Sequence, residues 1–321
     1  MNKVSDRIAH HLRTRLKISH LVMLEAIERE GSIHKAASAR GVSQPGVTKS
    51  LKALEAAVGC PLFERTSTGL KATAVGKEMI EIARGMLRDI DRTAVQIASV
   101  AEGRKGLLRI GSIPYISEEP LIYSAKHLIA ERHTQISFMT GSSPDLAAAL
   151  MERKLDCAIL RYVDVEGSSK LKFEELYWQK AALVFRKGSF DHDAIAEDVW
   201  KRRDLTWILP PKQTPTRVAI NLVFVAKGLP PPQSDFECMG VRLTSRLIQE
   251  SPNSITIFPL DVARDICGDK LEYVECREHF TLPPICFVTN LTSVENPLTS
   301  TWRRYLFDAI ANVNAVFSPR P

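Results

Sequence analysis

The chain has 321 residues, 45% hydrophobic and 25% charged, an ordinary globular composition with length for two or three compact units. No run approaches the roughly 18 apolar residues a membrane helix needs. The N-terminal MNKVSDRIAHHLRTRLKISH is polar and basic, which argues against a secretory leader and predicts a cytoplasmic protein. The net charge of +6 is unevenly placed: residues 1–73 hold 12 Lys and Arg against 6 Asp and Glu, and the remaining 31 basic and 31 acidic residues cancel. Such a localised field favours a polyanion, nucleic acid ahead of a membrane surface.

In chain order, residues 1–17 form a basic extension rich in Arg and His, suited to phosphate contacts. Apolar residues then recur at helical spacing in three bursts. Ile18, Leu21, Val22, Leu24, Ala26 and Ile27 make a helix ended by Gly31, and a shorter one runs from Ser32 through Ala36, Ala37 and Ala39 to Gly41. The third starts at Ser43, carries Pro45 in its first turn and buries Val47, Leu51, Leu54 and Val58. The turn Gly41, Val42, Ser43 joins the last two as a helix-turn-helix over residues 18–73. With the inner face fixed, Gln44, Thr48 and Lys52 form one outward row flanked by Pro45 and Lys49, residue types that read base edges and phosphates in a DNA groove.

Residues 61–73, PLFERTSTGLKAT, predict a hairpin wing turning at Thr68 and Gly69, with Arg65 and Lys71 placed for phosphate or minor-groove contact. Thr73 is the expected cap of a long helix that ends at Gly103, so that residues 74–103 form a linker. Its apolar seam, Met79, Ala83, Met86, Ile90, Ala94, Ile97 and Ala101, predicts a dimer contact.

From Leu107 the pattern becomes short apolar strands alternating with helices. The strands are LLRIGS (107–112), QISFMT (135–140), DCAILR (156–161), AALVFR (181–186), TWILP (206–210), ITIFP (255–259) and ICFVT (285–289). Helices are expected at 120–131, 144–153, 216–227 and 239–250, which implies an α/β region over 107–321 with a largely parallel sheet. The Pro-rich stretches PPKQTP and LPPPQ suggest two lobes.

The six cysteines include no CxxC pair and no zinc spacing with His; Cys267 and Cys276 read as inert thiols in preference to a redox pair. GxSxG, P-loop, HExxH and GxGxxG motifs are all missing, and His127, His133, His192 and His279 are scattered. No catalytic residue, metal or cofactor is expected.

The residues AAxxxGVSQPxVTxxLxxLE at 36–55 and VGCPLFERTSTGLKATAVG at 58–76, with helix-turn-helix, wing and linker helix in register, resemble the LysR-type transcriptional regulators. LxxxLMERKLDCAIL at 146–160 is similar to the family's effector domain. The resemblance implies a winged helix-turn-helix, a long linker helix and a two-lobed α/β domain like the type 2 periplasmic binding proteins. It further implies a homodimer or homotetramer joined through the linker helix, double-stranded DNA as partner, and a small-molecule effector, commonly an anion. RNA polymerase is a further partner the resemblance leaves room for. Gln44, Pro45, Thr48 and Lys49 match the base-reading positions and Arg65 the wing contact. Arg40 stands where the family usually has leucine, and Gly46 where alanine is common.

Ligands of open α/β sheets bind beyond the carboxyl ends of strands, where helix N-termini offer N–H groups. Ser112, Ile113 and Pro114, then Ser142 and Ser143, then Thr214 and Thr216 occupy such places and match the family's effector loops. Arg161, at the end of a strand, reads either as the anion's guanidinium or as a surface residue; Arg217 is a weaker candidate of the same kind. Phe258 reads either as pocket lining or as core. Two other function classes stand beside the regulator: an enzyme, and a small-molecule-binding protein with an unrelated basic tail.

Overall fold

The computed structural model describes residues 3–67, 69–101, 106–276, 282–293 and 296–312. Thr68, Gly103 and His279 fall outside them. The chain divides into two units, residues 1–97 and 98–321.

The first unit opens with α1 (Lys3–Arg15), so most of the basic extension is a helix; its Leu12, and Leu16 just beyond its end, pack against the unit's core. α2 (Ile18–Glu30), α3 (Ile33–Ala39) and α4 (Gln44–Val58) follow, and Leu21, Leu24, Ile27, Ala36, Ala37, Val47, Leu51 and Leu54 meet in that core. Ser43 caps α4 by accepting from Gly46 N at 3.3 Å. A Cβ at residue 46 would stand 3.1 Å from that hydroxyl oxygen, so glycine keeps the cap uncrowded. The wing is the antiparallel pair β1 (Phe63–Thr66) and β2 (Gly69–Ala72), tied to the end of α2 by Leu70 N donating to Gly31 O.

The linker helix α5 runs Ala74–Ala101. Thr73 caps it through Gly76 N at 3.0 Å, and a Cβ on Gly76 would lie 1.9 Å from Leu62 O, so only glycine lets the helix seat against the backbone just before the wing's first strand. The expected seam is corrected at its start. Met79 and Ala83, with Ile80, are buried in the unit's own core, because the helix's first turns close that core. The exposed stripe begins at Ile82 and continues through Met86, Ile90 and Ile97.

The second unit holds two five-stranded sheets. One contains β3 (Leu107–Ser112), β4 (Gln135–Thr140), β5 (Cys157–Arg161), β6 (Leu171–Tyr177) and β12 (Ile285–Asn290), in the order β4-β3-β5-β12-β6. The other contains β7 (Ala181–Arg186), β8 (Thr206–Leu209), β9 (Phe236–Glu237), β10 (Ser254–Pro259) and β11 (Leu271–Glu275), in the order β11-β7-β10-β8-β9. Helices α6 (Glu119–Arg132), α7 (Ser143–Met151) and α12 (Pro297–Asn312) belong to the first lobe, and α8 (His192–Asp198), α9 (Pro215–Ala226), α10 (Val241–Glu250) and α11 (Leu260–Ile266) to the second.

The largely parallel sheet expected from the alternation is corrected. In each lobe two pairings are parallel and two antiparallel, since β7 and β12 enter from the other lobe and run against their neighbours. β6, β9, β11, α8, α11 and α12 were not expected from sequence. β6 and β11 each have a single fully paired side and carry charged residues at intervals, which hides the apolar signal.

Candidate nucleic-acid interface and effector cleft

The polar face of α4 is a consequence of its core packing. With Val47, Leu51 and Leu54 inward, Gln44, Pro45, Lys49 and Lys52 are exposed and Thr48 is half-buried. Ser43 is taken up as the cap, and Thr48 Oγ1 donates back to Gln44 O at 3.0 Å. The side chains of Gln44, Lys49 and Lys52 remain directed at solvent, a row of one amide and two ammonium groups fit for a groove. Arg65 and Lys71 are also exposed, but the hairpin register separates them. Lys71 stands opposite Glu64 and Arg65 opposite Leu70, so they occupy opposite faces of the ribbon, with a carboxylate beside Lys71.

In the second unit the expected loops converge, with different side chains doing the contacting. Ser142 caps α7 and donates to Asp145 Oδ2 at 2.5 Å; Thr214 caps α9 by accepting from Arg217 N. Ser143 and Thr216 are buried and both face Arg161: Ser143 Oγ accepts from Arg161 N at 3.2 Å, and Thr216 Oγ1 accepts from Arg161 Nε at 3.2 Å. Ser112 is buried and bonds its neighbour's carbonyl, Ile113 O; Ile113 is core, and Pro114 follows it.

Both sequence readings of Arg161 are corrected. It is neither a surface residue nor a free fork, because the residue is 1% exposed and its guanidinium is bonded within the protein. Nη1 donates to Pro283 O at 2.5 Å and Nη2 to Gln179 Oε1. Gln179 in turn donates Nε2 to both carboxylate oxygens of Asp261, at 2.8 and 2.7 Å. Arg161 ends a strand of the first lobe, Gln179 lies where the chain crosses, and Thr216 and Asp261 belong to helices of the second, so the network joins the lobes. Burial lowers the Arg161 pKa to about 10, opposed by the nearby Asp261 charge, and the group stays cationic at neutral pH. Burial also raises Asp261, with the Gln179 hydrogen bond working against it.

Arg217 is buried too and spends its donors on Asn221 Oδ1, Pro210 O and Pro232 O. Phe258 is core, 5.7 Å from the Tyr115 ring, on a strand buried on both faces. A cavity of about 310 Å³ does open beside Arg161, lined by Pro144, Tyr162, Val163, Val165, Pro215, Val218, Ala219, Leu222 and Pro283, with Asp164 and Gln213 as its polar members. None of the side chains expected to touch the effector lines it; their immediate neighbours Pro144, Tyr162 and Pro215 do. Gln179 and Asp261 carried no sequence signal, being single polar residues outside any motif.

Residues 18–77 match the profile of the bacterial regulatory helix-turn-helix proteins of the lysR family, and residues 101–311 match the LysR substrate-binding domain. The chain belongs to the LysR family. It is accordingly a DNA-binding transcriptional regulator with a ligand-binding second domain, of a family that is not one of enzymes. The regulator GbpR of Azospirillum brasilense is 27% identical over 258 residues, covering 79% of this LysR-family chain and 74% of that protein. The regulator PcaQ of Agrobacterium fabrum is 26% identical over 227 residues, covering 67% of this chain and 70% of that one. The crystal structure of CbnR, a LysR family transcriptional regulator, is similar with a TM-score of 0.54 at 16% identity, covering 92% of this chain and 99% of that one. Full-length BenM gives 0.51 at 20% identity, covering 95% and 100%. These two likenesses bear out the two-lobed α/β fold. No helix among the described residues is long and apolar enough to cross a membrane.

Proposed function

We propose that this LysR-family regulator reads operator DNA with Gln44, Pro45, Thr48, Lys49 and Lys52 of α4, with Ser43 holding the helix N-terminus and with Arg65 and Lys71 on the wing. The effector is a small anion, a carboxylate foremost, with an apolar body. The observation that carries this is the meeting of two capped helix N-termini on Arg161 beside an apolar cavity: α7 through Ser143 on its backbone N–H, and α9 through Thr216 on its guanidinium. The body sits against Tyr162, Val218 and Leu222, and the anion takes hydrogen bonds from the helix ends in place of the bonds within the cap and the network. The regulator acts in the cytoplasm, without catalytic residues, metal or cofactor, as a dimer or tetramer whose subunits meet along the exposed stripe of α5.

Thermal-shift screening of the full chain against organic acids and inorganic anions tests the effector reading. A carboxylate at 100 times its Kd adds about 2.7 kcal/mol by mass action, and the gain disappears in Arg161→Met. Stabilisation by neutral or cationic aromatics alone contradicts it.

A further inference from the structure

We propose that α1 is a second DNA-binding element, a basic clamp on the phosphate backbone beside the helix that reads the bases. The inference rests on the regulator reading and adds an element to it. Of the +6 carried by residues 1–73, +4 belongs to residues 1–17, where Lys3, Arg7, Arg13, Arg15 and Lys17 face only Asp6. Residues 18–73 retain +2, from 7 basic and 5 acidic side chains. The family's helix-turn-helix profile begins at residue 18, so the segment holding most of the charge lies outside the shared domain.

Its position follows from how α4 is surrounded. The inner side of α4 is covered by α2 and α3 in the core, and its outer row of Gln44, Lys49 and Lys52 is exposed. α1 also packs on α4, and its Leu12, with Leu16 just beyond its end, is partly buried against the same core, which leaves it the flank. Packed helices stand about 8–10 Å apart, and the major groove is about 12 Å wide. A helix flanking one seated in the groove therefore stands over a phosphate ridge. His10, Arg13, Arg15 and Lys17 are exposed, and among the described residues no carboxylate pairs with Arg13, Arg15 or Lys17. A helix that served packing alone needs Leu12 and Leu16 but has no use for this charge.

The test is the triple variant Arg13→Gln/Arg15→Gln/Lys17→Gln in the full chain, with Leu12 and Leu16 untouched. Fluorescence anisotropy gives the salt dependence of binding to the protein's own upstream DNA and to a random duplex. Each lost phosphate contact removes about 0.9 from the slope of log affinity against log salt, so the slope flattens by about 2–3 for each DNA-bound subunit on both duplexes, with their ratio unchanged. Arg13→Lys/Arg15→Lys keeps the charge and keeps the wild-type slope. An unchanged slope in the triple variant, a loss confined to the upstream DNA, or a flattened slope in the Lys variant overturns the inference. A wild-type chain with equal affinity for the two duplexes overturns the regulator reading itself, an outcome read from the ratio and not from the slope.

Discussion

Replacing Arg161 by Met tests whether the buried polar joint holds the two lobes of the effector domain together. The residue is 1% exposed, and loss of its guanidinium unpairs Thr216 Oγ1, Pro283 O and Gln179 Oε1 while leaving Asp261 buried without its counter-charge. Removing one partner of such a pair costs about 3–5 kcal/mol, whereas removing both charges is far cheaper. The double variant Arg161→Met/Asp261→Asn is therefore expected to lose about 2 kcal/mol less than the sum of its singles, a coupling relayed through Gln179. All four tryptophans, at 178, 200, 207 and 302, lie in the second unit, so urea unfolding followed by tryptophan fluorescence reads this domain without the DNA-binding unit. Strict additivity, or a loss below about 1 kcal/mol in Arg161→Met, refutes the reasoning.

Other expectations follow from the same geometry. Burial pushes Glu174 up, but the Arg303 and Lys172 contacts outweigh it and hold the carboxyl below its ordinary 4.5. Its folded value is depressed, so its contribution is present above pH 4.5 and lost as pH falls through that lower value. Glu174→Gln should cost no more than about 1 kcal/mol at neutral pH, the pair being partly exposed, and nothing in stronger acid; a difference that grows on acidification contradicts this. Gly76→Ala drives a Cβ into Leu62 O and should destabilise the DNA-binding unit by about 3 kcal/mol, read by hydrogen exchange across residues 18–83; unchanged protection contradicts the packing. On the wing, Arg65→Ala should flatten the salt slope of DNA binding by about one for each DNA-bound subunit and Lys71→Ala by less than half of that, because Lys71 faces Glu64 on the other side of the ribbon; equal effects contradict that separation.

The DNA-binding unit was legible in sequence because its determinants are local. The spacing of Val47, Leu51 and Leu54 fixes which face of α4 is free, Ser43 and Gly46 place its start, and the hairpin follows within a few residues. Met79 and Ala83 misled because periodicity along a long helix shows a stripe without saying where the stripe leaves its own domain and becomes surface. In the effector domain the seven strands with apolar runs were found, the edge strand β4 among them, and the other three edge strands, β6, β9 and β11, were not, since one-sided pairing leaves room for charge. The helix caps at Ser142 and Thr214, where the effector loops are expected, were legible from strand ends and cap residues. Their contacts were not, because Gln179 and Asp261 reach Arg161 from 18 and 100 residues away in the chain, through a crossover that no local pattern encodes.

Sequence reading by α4 is tested most directly by the affinity of the full chain for its own upstream DNA against a shuffled duplex, with Gln44→Ala measured beside it. The expected result is a preference of about a thousand-fold or more at physiological salt, and a loss of about 1–3 kcal/mol in Gln44→Ala on the upstream DNA with no change on the shuffled one. Equal affinity for the two duplexes, or a Gln44→Ala loss of the same size on both, contradicts it.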